Sequence, residues 1–320
     1  MRDLTVLVLG HPGDESLRLL AEAGPGVRFV VAERPEELLP AAEDAEALFC
    51  SSADPRPLAE FLPHVPRLRW IHVRWAGLDH TLLPPIVESP AVLTNSRGVY
   101  SAALGEYVVA AILFFAKDLR RKVRSQEEGR WDVFPVEVVS GATLGIVGYG
   151  DIGRAIARRA RPLGMRILAL RRSGPAADPL VDESVPGGRL NDLMVRSDYV
   201  AVALPLTDET RGFVGRGAIA ALRPSAVLVN VGRGAVVDEP ALVDALQARR
   251  LRGAALDVFV DEPLPAGHPL YGMDHVLLSA HCADHTRTWR DDAVRLFLEN
   301  LRRFRAGEEL RNVVDKARGY

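Results

Sequence analysis

Lysine is almost missing from this chain. Lys117, Lys122 and Lys316 are the only three among 320 residues, so arginine carries nearly all the positive charge. With a formal net charge of −2, no basic face points to nucleic acid. We read the arginine bias as composition, not as function. Cysteine is equally scarce. Cys50 and Cys282 stand far apart without metal-type spacing, which fits a reducing cytoplasm and gives no metal site. No apolar run reaches the ~20 residues that would span a bilayer. The start, Met1-Arg2-Asp3, leads directly into an apolar strand without a signal-peptide pattern, so a cytoplasmic location is expected. There is no fixed-period repeat and no low-complexity tract.

What is present is organised around residues 144–172, LGIVGYGDIGRAIARRARPLGMRILALRR. A short apolar run fit for a buried strand opens it. The turn Gly148-Tyr149-Gly150-Asp151-Ile152-Gly153 follows, then a helix-forming segment and a second apolar run. A strand–turn–helix–strand unit of about 30 residues is the context that gives a G-x-G-x-x-G its meaning as a dinucleotide seat. Gly148 permits the tight turn, and Gly150 lets backbone approach a pyrophosphate. Gly153 lets helix and strand pack closely, while the helix start offers unpaired N–H groups to the anion. A NAD site wants an acidic residue about 20 positions on, to bind the ribose 2′-OH. Here the second strand ends Leu170-Arg171-Arg172-Ser173 with no carboxylate. Two guanidiniums and a hydroxyl suit a 2′-phosphate, so NADP(H) is expected over NAD(H).

Residues 4–95 read as a smaller α/β unit, with strands at 4–9, 27–31, 47–50, 70–73 and 92–94 and helices between, including 15–23 and 57–61. Such alternation implies a parallel sheet covered on both faces, with ligands beyond the strand C-terminal ends. One such loop is Arg74-Trp75-Ala76-Gly77-Leu78-Asp79, whose small residues let backbone N–H groups reach a carboxylate. His72 lies inside a strand and reads as a packed histidine. Trp75 fits either ordinary packing or the wall of a substrate mouth. A polar break at 94–98 marks the hinge into a second domain. A long helix is expected over 102–123, its basic end solvated or facing a second subunit. Further strands are expected at 199–203, 226–230, 254–258 and 276–279, and a last helix over 288–305.

Each later strand stops at a polar cluster, so these clusters should gather at one sheet edge beside the cofactor. They contain Leu204, Pro205 and Thr210, then Val231, Gly232 and Arg233, then Asp257 and Glu262, then His281. Reducing a 2-keto acid requires a cation for the carboxylate and an acid for the developing alkoxide. Arg233 suits the first through a forked contact. His281 suits the second, with an unperturbed pKa of ~6.5. Glu262 would favour the imidazolium and raise that pKa. Asp257 could accept from the cofactor's carboxamide. His268, His275 and His285 read as surface groups.

These residues carry a resemblance to the D-isomer-specific 2-hydroxyacid dehydrogenases, a family that includes glyoxylate/hydroxypyruvate reductases. It spans Ala76-Gly77-Leu78-Asp79, Thr94-Asn95-Ser96-Arg97-Gly98, Glu106, the glycine turn, Leu204-Pro205-Leu206-Thr207, and Asn230 to Gly234. It ends with Asp257 to Pro263 and Ser279-Ala280-His281. The resemblance implies Arg233 as substrate anchor, Glu262 and His281 as proton relay, and Ala76 and Gly77 N–H groups on the substrate carboxylate. It also implies a homodimer, a cleft between two domains and hinge closure over the cofactor. The expected fold is α/β with two doubly wound parallel sheets. In it a Rossmann cofactor domain, 97–286, is inserted in a smaller flavodoxin-like substrate domain, 1–96 and 287–320. Three departures stand out. Arg171 replaces the usual acid, Ala280 replaces a proline that would stiffen the turn before His281, and Arg74-Trp75 are larger than many relatives carry. No appended regulatory domain is expected after residue 320.

The expected activity is therefore NAD(P)-dependent interconversion of small 2-keto acids and D-2-hydroxy acids, with His281 as general acid/base. Two alternatives stay open. Oxidation of another small anion, of the phosphite kind, uses the same Arg–Glu–His set. A nucleotide-sensing corepressor-like protein would keep the fold without turnover.

Overall fold

The computed structural model describes residues 3–52, 54–172 and 178–319. The chain forms two compact units, residues 1–100 with 285–320 and residues 101–284. Among the described residues no helix is long and apolar enough to cross a membrane.

The first unit carries β1 (Leu4–Leu9), β2 (Val27–Ala32), β3 (Ala45–Cys50), β4 (Trp70–Val73) and β5 (Val92–Asn95), with helices α1 (Pro35–Ala42), α2 (Arg56–Phe61) and α3 (Pro84–Glu88). The strands pair in the order β2-β1-β3-β4-β5, all parallel, which is the flavodoxin-like doubly wound order. Their apolar runs follow from burial on both faces. Residues 15–23 form a 3-10 helix, begun by Asp14, whose side chain accepts from Ser16 N.

The second unit opens with α4 (Ser101–Ala116) and α5 (Leu119–Glu127). The single helix expected over 102–123 is therefore broken. Asp118 takes a left-handed conformation at φ 46°, ending one helix, while its side chain accepts from Arg121 N to start the next. The basic stretch after the break is not simply solvated: Arg120 Nη2 donates to Val276 O at 2.9 Å and Arg121 pairs with Asp132 at 2.7 Å. Then come β6 (Thr143–Val147), α6 (Asp151–Ala160), β7 (Arg166–Arg171), β8 (Glu183–Pro186), α7 (Leu190–Arg196) and β9 (Tyr199–Val202). The unit is completed by α8 (Arg216–Ala220), β10 (Val227–Asn230), α9 (Glu239–Gln247), β11 (Gly253–Leu256) and β12 (Val276–Leu278). The seven strands run parallel in the order β12-β11-β10-β9-β6-β7-β8, a Rossmann sheet whose order reverses between β6 and β9. β8 escapes a reading of apolar runs because it is a short, polar edge strand. Its Pro186 is tolerated at an edge, where one side of the strand has no ladder to feed.

The last helix, α10 (Trp289–Ala306), belongs to the first unit. Its Phe297 stacks on Phe49 at 4.5 Å and on Trp70 at 5.2 Å, ring centre to ring centre, and all three are fully buried. His72 lies in the same cluster, with Nδ1 2.7 Å from Thr94 Oγ1. Burial pushes its pKa down to about 3, so it stays neutral and packs as an aromatic. Phe297→Ala should cost ~3–5 kcal/mol of stability, because the stack leaves a cavity under the sheet. Urea unfolding of the variant checks this, and a loss under ~1 kcal/mol would refute the stack as the helix's main anchor.

Candidate active site

The fingerprint turn lies at the end of β6, beside the reversal in strand order. Gly148 has φ 99°, open to glycine at little cost. A Cβ on Gly153 would lie 2.4 Å from Gly148 O, so the start of α6 presses on the turn. A Cβ on Gly150 would meet nothing within 4 Å. Gly150 is also the N-cap of α6, and no side chain caps it, so the helix start at Asp151, Ile152 and Gly153 presents its N–H groups toward that space. A backbone cradle of this form fits a pyrophosphate.

Neighbouring strand ends close on the same turn. Gly148 packs against Ala203 O and the Leu204 side chain, and a Cβ on Gly232 would lie 2.6 Å from Leu204 O. Val231 N donates to Val202 O at 3.0 Å. Thr210 ties its loop together, donating through Oγ1 to Pro205 O at 2.7 Å and accepting from Thr207 N at 2.8 Å. Arg171 and Arg172 stand exposed at the end of β7, and Arg172 pairs with Glu209. Ser173, expected beside them, lies outside the described residues.

Arg233, Glu262 and His281 come from three successive strand ends, β10, β11 and β12. The Arg233 carbonyl accepts from Asn230 Nδ2 at 3.1 Å and from Val236 N at 3.2 Å, which holds the loop's backbone. Its neighbour Gly234 packs so tightly on Phe259 that a Cβ would lie 1.9 Å from the Phe259 carbonyl carbon. That approach seats the Arg233 loop on the loop of Glu262. Glu262 Oε1 accepts from Phe259 N at 2.9 Å, while Oε2 lies 2.7 Å from His281 Nδ1. Burial opposes ionisation of Glu262, but the His281 contact, the Phe259 N–H and the nearby Arg233 charge outweigh it and hold its pKa below the ordinary value. The hydrogen bond to Glu262 raises the His281 pKa against partial burial and the Arg233 charge. An ionised Glu262 can only accept, so Nδ1 carries its proton and Nε2 is the nitrogen left to give or take one.

Asp257, expected to accept from a carboxamide, also holds the turn that carries His281. It is 1 % exposed, and its Oδ1 accepts from Cys282 N at 3.0 Å and Ala283 N at 3.1 Å. Its carbonyl accepts from His281 N at 2.8 Å. These three bonds hold His281 in a left-handed conformation at φ 50°. The turn is thereby fixed without the proline that Ala280 replaces. Sequence reasoning also passed over Tyr107 on α4. Burial raises its pKa, with the charges of Asp257 and Cys282 adding to the effect. Its only trace in the sequence is its place beside Glu106, and Glu106 itself pairs at the surface with Arg159.

In the first unit, Ala76 and Gly77 sit half-buried in the loop after β4. The Ala76 carbonyl accepts from Asn95 Nδ2 at 2.8 Å. Among the described residues nothing accepts from the N–H of Ala76 or Gly77. Arg74 is locked in a buried pair with Asp14 at 2.6 Å and lies over the Phe49 ring. Trp75 donates to Thr81 Oγ1 at 2.6 Å and packs on the core.

Residues 109–283 match the NAD binding domain of the D-isomer specific 2-hydroxyacid dehydrogenases. A glyoxylate reductase of Korarchaeum cryptofilum is 34% identical over 309 residues, covering 94% of this chain and 90% of its own. The chain belongs to the D-isomer specific 2-hydroxyacid dehydrogenase family. It is an oxidoreductase acting on a CH–OH group. Two solved dehydrogenases of this family share the fold over nearly the whole chain. That of Xanthobacter autotrophicus, in complex with NADPH and MES, has a TM-score of 0.86 at 30% identity, covering 100% of both chains. The NADPH-dependent glyoxylate/hydroxypyruvate reductase of Sinorhizobium meliloti, in complex with NADP and sulfate, has a TM-score of 0.87 at 25% identity, covering 99% of this chain and 100% of that one.

Two of the three fingerprint glycines of this dehydrogenase should separate stability from binding. Gly153→Val should destabilise by at least ~1–3 kcal/mol through overpacking against Gly148. Gly150→Val should melt like wild type yet lose dinucleotide binding, because the new side chain fills the cradle. Calorimetric melting with cofactor titration checks both, and retained binding in Gly150→Val would reject the cradle.

Proposed function

We propose that the protein is a reductase of small 2-keto acids, of the size of glyoxylate or hydroxypyruvate, that gives the D-2-hydroxy acid and prefers NADPH. The observation that carries this reading is the Arg233, Glu262 and His281 set at successive strand ends of the parallel sheet that also carries the fingerprint turn. The cofactor preference is supported by Arg171 and Arg172 standing where a carboxylate would mark NAD, and by the NADPH named with both solved relatives.

Gly148, Gly150 and the N–H groups of Asp151, Ile152 and Gly153 would hold the pyrophosphate. Leu204, Pro205, Thr210, Val231 and Gly232 would line the path toward the nicotinamide. When bound, the nicotinamide supplies the hydride that reduces the carbonyl carbon. Arg233 binds the substrate carboxylate and polarises the carbonyl. His281 gives the Nε2 proton to the carbonyl oxygen as charge develops there. Glu262 keeps the imidazole protonated and oriented through Nδ1. Asp257 holds the turn that aims it.

We also propose a homodimer. Its support is an exposed apolar stretch outside any helix or strand, in which Trp131 is 96% exposed, Val133 83% and Val138 74%. The buried thiol of Cys50 and the free Cys282 are in keeping with a cytoplasmic setting.

Steady-state reduction of glyoxylate and hydroxypyruvate tests the reading. Arg233→Ala should lower kcat/KM by roughly two to four orders of magnitude, since it removes the paired cation of both ground and transition state. Rates near wild type would defeat the assignment. In Glu262→Gln the pH profile for reduction should move down. His281 acts as an acid only when protonated; Glu262 raises its pKa, so removing that charge ends activity at a lower pH. An unmoved profile would separate Glu262 from the proton transfer.

A further inference from the structure

The ion pair between Arg172 and Glu209 joins two strand ends that are not neighbours. Arg172 follows β7, Glu209 lies in the loop after β9, and β6 with its fingerprint turn runs between them in the sheet. The pair therefore reaches across the turn that the proposed function gives to the dinucleotide. Glu209 is held there by its loop: Thr210 ties Pro205 to Thr207, and Arg211 N donates to Thr207 O at 3.0 Å. Both side chains remain open to solvent, Arg172 at 56% and Glu209 at 68%. Arg171, the other guanidinium at this edge, makes no ion pair among the described residues.

We propose that Glu209 is a specificity-determining residue of the cofactor site, an internal competitor that holds Arg172 back from a ligand's 2′-phosphate. The inference rests on the NADPH reading above. A phosphomonoester carries close to two negative charges at neutral pH and needs a guanidinium fork for a paired contact. One fork cannot serve Glu209 and the phosphate together. Binding a 2′-phosphate requires Arg172 to leave Glu209, and the freed carboxylate then repels the phosphate. A ligand with a plain 2′-hydroxyl disturbs neither group. Arg171 thus carries the basal attraction for a 2′-phosphate, and Glu209 limits how far NADPH is preferred over NADH.

Titration calorimetry of the full-length protein with 2′,5′-ADP and with 5′-ADP tests this without turnover. Glu209→Gln should tighten 2′,5′-ADP by about five-fold, the scale of an exposed pair, and leave 5′-ADP as in wild type. The gain should shrink as salt is raised, because the charges are exposed. Arg171→Ala should weaken 2′,5′-ADP alone. If Arg171→Ala weakens 2′,5′-ADP while Glu209→Gln changes nothing, the 2′-phosphate site stands and the competitor role is overturned. If wild type binds 2′,5′-ADP no better than 5′-ADP, in both variants as well, the NADPH reading and this inference fall together.

Discussion

Every strand pairing in both sheets is parallel, and the placement of the chemistry depends on that constraint. Parallel strands put all their C-terminal ends on one edge, so residues far apart in sequence arrive as neighbours without any special contact to bring them there. Arg233, Glu262 and His281 meet because β10, β11 and β12 lie side by side. Local packing does the rest. Gly234 against Phe259 sets the spacing of the first two loops, and the Asp257 carboxylate sets the third.

The electrostatics of the site follow from how few groups share it. Glu262 faces the His281 imidazole, the Phe259 N–H and the Arg233 charge, and each of these favours its ionised form. His281 feels opposed influences, Glu262 and Asp257 raising its pKa while Arg233 lowers it. The Glu262 hydrogen bond is the largest of them, so the imidazole is poised as an acid instead of being neutralised by the arginine beside it. That arginine's guanidinium donates through Nη1 to Gly232 O at 2.9 Å, so its own loop steadies the charge beside the imidazole.

Much of this was legible in the sequence, because a buried parallel strand must be apolar and must stop at its loop. The runs ending at Gly148, Val231, Asp257 and Ala280 announce themselves in that way. The elements that escaped have equally physical reasons. β8 is polar and ends in Pro186, as an edge strand can. The helix break at Asp118 hides in a long run that contains no proline, and only the backbone angle of one aspartate interrupts it. Arg74 stood out only as larger than its counterparts in many relatives; its partner Asp14 lies sixty positions earlier, a pairing no local pattern reveals. Asp257 could be placed by its strand, but the atoms it holds are amides on another strand's loop.

The stack of Phe297 on Phe49 and Trp70 also orders events in time. The second unit is one continuous stretch, residues 101–284, whereas the first is built from both ends of the chain. On a ribosome the dinucleotide-type sheet emerges whole and can bury its core while synthesis continues. The first sheet must wait with one apolar face uncovered until α10 has left the exit tunnel. During that interval Phe49 and Trp70 have water where Phe297 will stand. The earliest strands to be made are thus the last to be completed, and a chain arrested before residue 297 would carry a finished cofactor fold joined to an unfinished, sticky one.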